Sequence, residues 1–279
     1  MLTAVLALSA SVAWGVGDFL GGLKSRTLSP LAVLAVAQPI GLAAIAIAVA
    51  IHWEPWPGGS TWLAVPAAVL GTIGLVAFFR GMAVGSISLV APIAATGALV
   101  PVAYGLATGE RPGPFQLLGI VLAVGGAVAT SYEPGEGSER PRLAAGVPWA
   151  LLAAVGFGAF FIPMHAASES GFLWSTFVFR CSSTTLVLLA VLLTRPRLSR
   201  SRRDLPVLAA IGLADTGGNV LFAAASAQDG LVSTVSVLAS LYPVVTVLLA
   251  RLYLRERVGR VQEAGAAVTL AGVVLVSAG

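Results

Sequence analysis

The chain has 279 residues, of which 57% are hydrophobic and only 10% are charged. Soluble proteins carry about 25% charged residues, so this composition excludes a soluble globular domain. The net charge of +4 comes from basic residues in the segments between long apolar runs. Their position favours anionic lipid headgroups as partners and argues against nucleic acid.

Ten apolar runs follow one another along the chain, and a helical run of about 20 such residues spans a bilayer. In the first half the predicted helices are Leu2–Gly21, Leu31–Ile51, Trp62–Phe79, Ile87–Thr108 and Phe115–Thr130. In the second half they are Ala144–Met164, Phe172–Leu193, Leu205–Ala227, Leu231–Ala250 and Val261–Ala278. A β-barrel would need short segments of alternating hydrophobicity instead of solid apolar runs. The sequence therefore predicts an all-α membrane protein with ten transmembrane helices.

A set of six residues occurs twice at a constant offset of 146 positions, so that Glu110 and Arg111 recur as Glu256 and Arg257. The other members of the first set are Gly113, Gln116, Gly119 and Gly126, and they recur as Gly259, Gln262, Gly265 and Gly272. This duplication predicts one repeat over residues 1–131, a flexible linker over 132–142 and a second repeat over 143–279. Five helices in each repeat would place the two copies in opposite orientations across the membrane, an arrangement found in carriers.

The basic residues predict how the chain sits in the membrane. If the nine predicted loops are numbered in order, 14 of the 16 Lys and Arg residues lie in odd loops, and only Arg111 lies in an even one. Short loops rich in Lys and Arg stay in the cytoplasm. We therefore expect a multi-pass protein of the cell membrane with the odd loops inside and both termini outside.

Two charged residues lie deep in predicted helices, where insertion costs about 2.5–3.5 kcal/mol for each charge. Arg180 in the seventh helix and Asp215 in the eighth fall at similar depths of about 12–18 Å, so they can pair across the helical hairpin. The pair either faces a cavity, where it engages a solute or a coupling proton, or ties the two helices together as a structural ion pair. Asn219 lies one turn beyond Asp215 on the same face and extends a polar stripe.

Asp18 shares a face of the first helix with Trp14 and lies near the predicted cytoplasmic end. It is either a gating or proton-binding carboxylate, or an interfacial charge beside Gly17 and Gly21, which would pack against a neighbouring helix. His165 lies near the outer end of the sixth helix. It is either part of a proton relay or a hydrated interfacial side chain.

Two polar residues precede prolines inside predicted helices, Gln38 before Pro39 and Tyr242 before Pro243. Proline is tolerated in a spanning helix where a cavity or a neighbour satisfies the freed backbone groups. Both positions predict kinks, and Tyr242 is a candidate for a cavity wall. Because most of the candidate residues lie in the second repeat, we expect the first repeat to supply mainly scaffold and Asp18.

The chain resembles the EamA-type branch of the drug/metabolite transporter superfamily. The resemblance rests on the paired five-helix halves, the Glu-Arg turn followed by Gln-x-x-Gly in each half, and Leu241-Tyr-Pro-Val-Val before Arg255-Glu-Arg. It implies a carrier that moves a small organic solute, often outward, by alternating access around a cavity lined by the first, third, fourth, sixth, eighth and ninth helices. Two features differ from the family pattern: Gly97 stands at the position equivalent to Pro243, and family members commonly have cytoplasmic termini.

Other functions fit the sequence less well. The chain contains no HExxH, GxSxG or phosphate-binding loop motif, which argues against a membrane-embedded enzyme and an ATP-driven pump. Cys181 is the single cysteine, so neither an internal disulfide nor a cysteine-based metal site is expected. The sequence predicts no cofactor and no metal. A small-molecule solute, coupled protons and the lipid bilayer are the candidate partners. A passive channel remains an alternative, and both a monomer and a homodimer are compatible with the sequence.

Overall fold

The computed structural model describes residues 2–52, 54–107, 113–133, 142–198, 201–228, 232–239, 241–255 and 259–278. Within these ranges the first half of the chain forms α1 Leu2–Ser25, α2 Pro30–His52, α3 Ala64–Val84, α4 Ile87–Ala95, α5 Leu99–Ala107 and α6 Pro114–Ser131. The second half forms α7 Val147–Ser168, α8 Phe172–Thr194, α9 Leu205–Ser226, α10 Val232–Ala239, α11 Tyr242–Leu249 and α12 Arg260–Ala278. Short helical turns at Gly59–Leu63, Thr96–Ala98 and Ala250–Leu254 complete these elements.

The predicted helical membrane architecture is confirmed. Seven helices in the described part of the chain are long and apolar enough to cross a bilayer, and three further apolar stretches are shorter, at Leu117–Ala129, Tyr242–Leu254 and Glu263–Leu275. The outer surface is itself apolar, since Leu192 is 69% exposed and Leu193 is 85% exposed. A surface of this kind is stable against lipid and unstable in water.

The linker predicted over 132–142 is not purely irregular. Tyr132–Glu133 forms a short strand, β1, which pairs antiparallel with β2 at Arg142–Leu143. The ends of the linker are therefore held side by side. Residues 134–141 between them lie outside the described ranges, as do Glu110, Arg111, Glu256 and Arg257 of the repeated turn.

Two predicted helices depart from regular α-helical geometry near their middles. The fourth run, predicted over Ile87–Thr108, forms one helix over Ile87–Gly105 that tightens to a 3₁₀ turn at Thr96–Ala98, between α4 and α5. The ninth divides into α10 and α11, and Pro243 lies in the first turn of α11 instead of kinking a continuous helix. The 3₁₀ turn and the break before Tyr242 are at equivalent positions of the repeats, because Tyr242 is the counterpart of Thr96. Proline is favoured in a first turn, where its missing N–H has no helical partner.

Glycines of the repeated set mark the crossing of α6 and α12. A Cβ atom added to Gly126 would lie 2.6 Å from the carbonyl oxygen of Gly265, and one added to Gly272 would lie 2.7 Å from that of Gly119. The early part of each helix therefore faces the late part of the other, so the two helices run antiparallel.

The other main contacts pair a helix of one repeat with a helix of the other repeat. The main packing partner of α1 is α9, and the main partner of its counterpart α7 is α3. Gly218 of α9 packs against Trp14, and Gly71 of α3 packs against Phe160, which is the counterpart of Trp14. Helix packing therefore interlocks the two repeats, and the first helix of each lies against the third helix of the other.

The loops are divided between two faces of the molecule. Lys24 in the last turn of α1 forms a 2.6 Å ion pair with Asp204 before α9, which brings the regions of two odd loops together. At the opposite end, the hydroxyls of Ser60 and Ser170 are 2.5 Å apart and join two even loops. Trp56 and Trp174 also meet there, with ring centroids 5.1 Å apart, and tryptophan is enriched where a protein crosses the membrane interface.

Cysteine labelling will show which face is outside. In a Cys181→Ser background, we expect a membrane-impermeant maleimide to label Ser170→Cys in intact cells. Ser201→Cys should react only after permeabilisation, because the basic loops around it stay in the cytoplasm. Labelling of Ser201→Cys alone in intact cells would contradict this orientation, and permeabilised cells, in which both variants react, provide the control.

Candidate functional site

A cavity with about 520 Å³ of empty space, including its open mouth, lies between the two repeats. Its walls come from α1, α2, α3, α7, α8, α9 and α11, at positions near the middle of the long helices. The polar side chains that line it are Asp18, Gln38, Thr72, Asp215 and Asn219. The aromatic side chains are Trp14, Phe157, Phe160, Phe161, Phe179 and Tyr242.

The predicted contact between Arg180 and Asp215 is present. The Nη1 atom of Arg180 lies 2.7 Å from Oδ2 of Asp215 and donates a 2.6 Å hydrogen bond to Oε1 of Gln38. The same Gln38 oxygen accepts a 3.2 Å hydrogen bond from Ser183. Arg180 is fully buried behind the cavity wall, whereas Asp215 keeps 22% of its side chain exposed. The arginine therefore holds Gln38 and Asp215 in place and presents both to the cavity.

Asp18 occupies a different environment from Asp215. It lines the cavity and is only 8% exposed, so the interfacial alternative considered from the sequence does not fit. Among the described residues its carboxyl makes no ion pair or hydrogen bond, but it is near enough to interact electrostatically with Asp215 and with the phenol of Tyr242. Gly17 and Gly21 do pack closely, the first against Ala214 of α9 and the second against Phe79 of α3.

Trp14 is the centre of the aromatic wall. Its ring centroid lies 5.7 Å from that of Phe222 and 6.3 Å from those of Phe160, Phe161 and Tyr242. The ring of Tyr242 also makes an edge contact with Phe157, at 5.9 Å. Aromatic pairs in this range of distances and tilts stabilise one another beyond the burial of their area. The wall is consequently a packed unit that holds the Trp14 indole beside Asp18.

Gly218 leaves the space that the Trp14 indole fills. A Cβ at Gly218 would overlap the indole, whereas one at the adjacent Gly217 would meet nothing within 4 Å. We expect Gly218→Ala to lower stability by about 1–3 kcal/mol, the usual effect of overpacking, and to displace the indole into the cavity. Tryptophan fluorescence and the melting temperature of the purified protein would report both effects. The matched variant Gly217→Ala should leave the fluorescence and the melting temperature unchanged. Wild-type fluorescence and melting temperature in Gly218→Ala would contradict the packing of the indole against Gly218.

His165 is not part of the cavity wall. It is 6% exposed, and its Nε2 atom lies 4.0 Å from the carboxylate of Glu169, one turn away on α7. The structure therefore does not support the hydrated interfacial position that the sequence suggested as one alternative. The repeat counterpart of Asp18 is Met164, which is buried.

The set of helices around the cavity differs from the set implied by the family resemblance. The first, third, sixth, eighth and ninth predicted helices contribute lining residues, but in the described ranges the fourth contributes none. The second and seventh contribute Gln38 and Phe179 instead. The first repeat also supplies more than Asp18, since six of the thirteen lining residues belong to it: Trp14, Asp18, Gln38, Gly71, Thr72 and Leu75.

Sequence reasoning missed most of the aromatic wall. Phe157, Phe160 and Phe161 are spaced at i, i+3 and i+4, which places them on one face of α7. That spacing is the available signal, but in an apolar helix the same spacing also describes a lipid-facing or core stripe. No pattern in the sequence distinguishes these three environments.

The fold and the cavity define a multi-pass helical membrane protein with a mixed polar and aromatic central site. The model of the EamA-like transporter family matches residues 1–132 and 144–278. The chain therefore belongs to the EamA-like transporter family, as its sequence motifs indicated.

Solved structures give the same fold. Among the 28 chains that match, one described only as "Crystal structure of protein" superposes with a TM-score of 0.68 at 17% identity, over 98% of this chain and 95% of that one. At this identity the likeness concerns the fold alone. No curated protein sequence matches the chain.

Proposed function

We propose that the protein is a secondary carrier that moves a small organic solute across the cell membrane, outward, by alternating access. The observation that carries the proposal is the central cavity, where a buried ion pair and an unpartnered carboxyl meet an aromatic wall midway along the helices. Charged groups inside a membrane are costly and are retained where they serve a solute or ion pathway. Membership of a transporter family supports the same conclusion.

The transmembrane arrangement in this proposal is ten helices in two inverted repeats, over residues 1–131 and 143–279. The seven long helices and three shorter apolar stretches supply ten segments. The antiparallel crossing of α6 and α12 and the exchange of partners between α1–α9 and α7–α3 support inversion. Inverted repeats let one packing arrangement open the site to either side of the membrane.

The broken ninth helix supports a carrier over the alternatives. Discontinuous helices recur at the binding sites of carriers, because the free backbone ends and the break itself face the solute. Tyr242, the first residue of α11, is both at a break and in the cavity wall. A passive channel would need a continuous path for the solute across the membrane. In the described ranges no three His, Cys, Asp or Glu side chains are grouped to hold a metal.

Protons are the coupling ion in this proposal, with Asp18 and Asp215 as the groups that would carry them. Both carboxyls face the cavity, and Arg180 accompanies only Asp215. A pH gradient imposed on proteoliposomes should drive solute uptake by the wild-type protein, and Asp215→Asn should abolish it. Because that variant leaves the buried Arg180 without its anion, it is expected to be less stable, and the flux is measured on protein shown to be folded after reconstitution. Unchanged pH-driven flux in that variant would contradict a role of Asp215 in coupling.

The proposal is tested first by finding a solute and then by measuring its exchange. A thermal-shift screen of amino acids, nucleosides and cationic drugs identifies solutes that stabilise the purified protein. Counterflow in proteoliposomes then separates a carrier from a channel. A carrier should show saturable uptake of the labelled solute that accelerates when the lumen is preloaded with unlabelled solute. Uptake that rises linearly without acceleration would instead indicate a channel.

A further inference from the structure

We propose that the cavity selects a monovalent organic cation with an apolar or aromatic body, and that Asp18 is the counter-ion of its positive group. This inference rests on the proposed transport function and names the chemical class of the solute. It depends on the difference between the two carboxyls of the cavity and on what surrounds the unpartnered one.

The charges at the cavity do not balance. Asp215 is paired with Arg180 at 2.7 Å, so that carboxylate is already neutralised by the protein. Asp18 lines the same cavity without an ion pair or hydrogen bond to any described residue. With both carboxylates ionised, the two aspartates and one arginine leave the site one negative charge, and a buried charge without a partner is costly. Either a proton or a cationic ligand supplies the missing partner, so the two compete for Asp18.

The wall beside Asp18 suits a cation and not an anion. Trp14 lies one helical turn before Asp18 on the same face of α1, and Tyr242 makes an edge contact with the indole, with ring centroids 6.3 Å apart. The faces of aromatic rings attract ammonium groups, most strongly in tryptophan, and the attraction increases when water is excluded. The positive group would therefore be held between the carboxylate and the indole.

The rest of the lining suits the body of such a ligand. Phe157, Phe160 and Phe161 form a continuous apolar surface on α7 that faces the cavity. An anionic solute would find its charge opposed by Asp18. It would also find the guanidinium of Arg180 fully buried and already bonded to Asp215 and Gln38. The geometry therefore favours a cation with an aromatic or aliphatic body over a carboxylate.

Binding of three small probes of similar shape to the purified wild-type protein tests the inference. Benzyltrimethylammonium carries the positive charge without any hydrogen-bond donor, phenylacetate is an anion, and phenylalanine is a zwitterion. In titration calorimetry we expect benzyltrimethylammonium to bind at least about tenfold more tightly than either of the others, which corresponds to about 1.4 kcal/mol. Absence of its binding, equal binding of all three, or tightest binding of phenylacetate or phenylalanine would overturn the inference.

Variants locate the effect. Asp18→Asn removes the charge with almost no change of shape and should weaken benzyltrimethylammonium binding by about tenfold or more. Asp18→Glu keeps the charge and should retain most of the binding. Glu169→Gln, which removes an exposed carboxylate outside the cavity wall, is the matched control and should bind as the wild type does. Unchanged binding in Asp18→Asn would overturn the role of Asp18. If that variant does not fold, the comparison of probes on the wild-type protein still decides the question.

The outcomes separate this inference from the proposed function. Cation binding without counterflow would support the solute class and contradict transport. Counterflow of an anionic or zwitterionic solute, with no cation binding, would support transport and overturn the solute class.

Discussion

Replacing Arg180 with methionine is expected to lower the free energy of unfolding by about 3 kcal/mol, because it leaves Asp215 without its cation and Gln38 with Ser183 as its remaining donor. The value lies at the lower end for a broken buried pair, since Asp215 retains 22% exposure to the cavity. Denaturation of the purified protein by increasing detergent or heat would measure the loss. Wild-type stability in Arg180→Met would contradict the account of this ion pair.

A second substitution distinguishes a broken pair from lost packing. In Arg180→Met combined with Asp215→Asn, neither charge remains, so most of the lost stability should return. The Nε and Nη2 atoms of Arg180 are buried without hydrogen-bond partners among the described residues. Replacing the arginine removes these two unpaired donors, which lowers the cost of the substitution. A double-mutant cycle isolates the pair energy. Equal instability of the single and double variants would show that the arginine acts only by filling space.

Replacing Gly126 with alanine is expected to force α6 and α12 apart. The added Cβ would lie 2.5 Å from the backbone nitrogen of Thr269 and 2.6 Å from the carbonyl oxygen of Gly265. Backbone atoms cannot rotate away as a side chain can, so we expect a loss of about 1–3 kcal/mol, the range for overpacking. The melting temperature of the purified protein, or its resistance to denaturing detergent, would report the loss.

The neighbouring Gly125 provides the matched control. A Cβ at Gly125 would meet nothing within 4 Å, and alanine is a better helix former than glycine, so Gly125→Ala should be neutral or slightly stabilising. Gly272→Ala, at the equivalent position of the second repeat, should be as harmful as Gly126→Ala. Harm from Gly126→Ala but not from Gly272→Ala would contradict a symmetric crossing of the two helices.

Sequence reasoning predicts well those parts of the structure where a single residue is energetically costly at its own position, or where residues recur at a fixed spacing. A charge in a long apolar run is expensive wherever it points, so Arg180 and Asp215 could be paired from their depths alone. The repeated glycines predicted a duplication, and their role at the α6–α12 crossing follows from the close approach that only glycine permits. The helical runs were predictable because the backbone must bond to itself in lipid.

The parts that could not be predicted depend on which way a helix is turned. Lipid and a packed core are both apolar, so the hydrophobic pattern does not show whether Phe157 or Phe160 faces a cavity. The 3₁₀ turn at Thr96–Ala98 was missed because Gly97 carries no strong helix-stopping signal inside an apolar run, whereas Pro243 marks its counterpart. The environment of Asp18 was left open between two alternatives for a related reason: the distance to Lys24 gave its depth along α1 but not the neighbours that α3 and α9 supply.

The central claim is that one cavity opens alternately to the two faces of the membrane, and two-sided labelling of Asn219 tests it most directly. Asn219→Cys in the Cys181→Ser background would be treated with an impermeant maleimide in right-side-out and in inside-out vesicles that contain trapped glutathione. We predict labelling of Asn219→Cys in both preparations, because the residue lines the cavity, with the trapped glutathione left unreacted. Labelling from one side only would contradict alternating access, and consumption of the glutathione would show a continuous pore instead of a carrier.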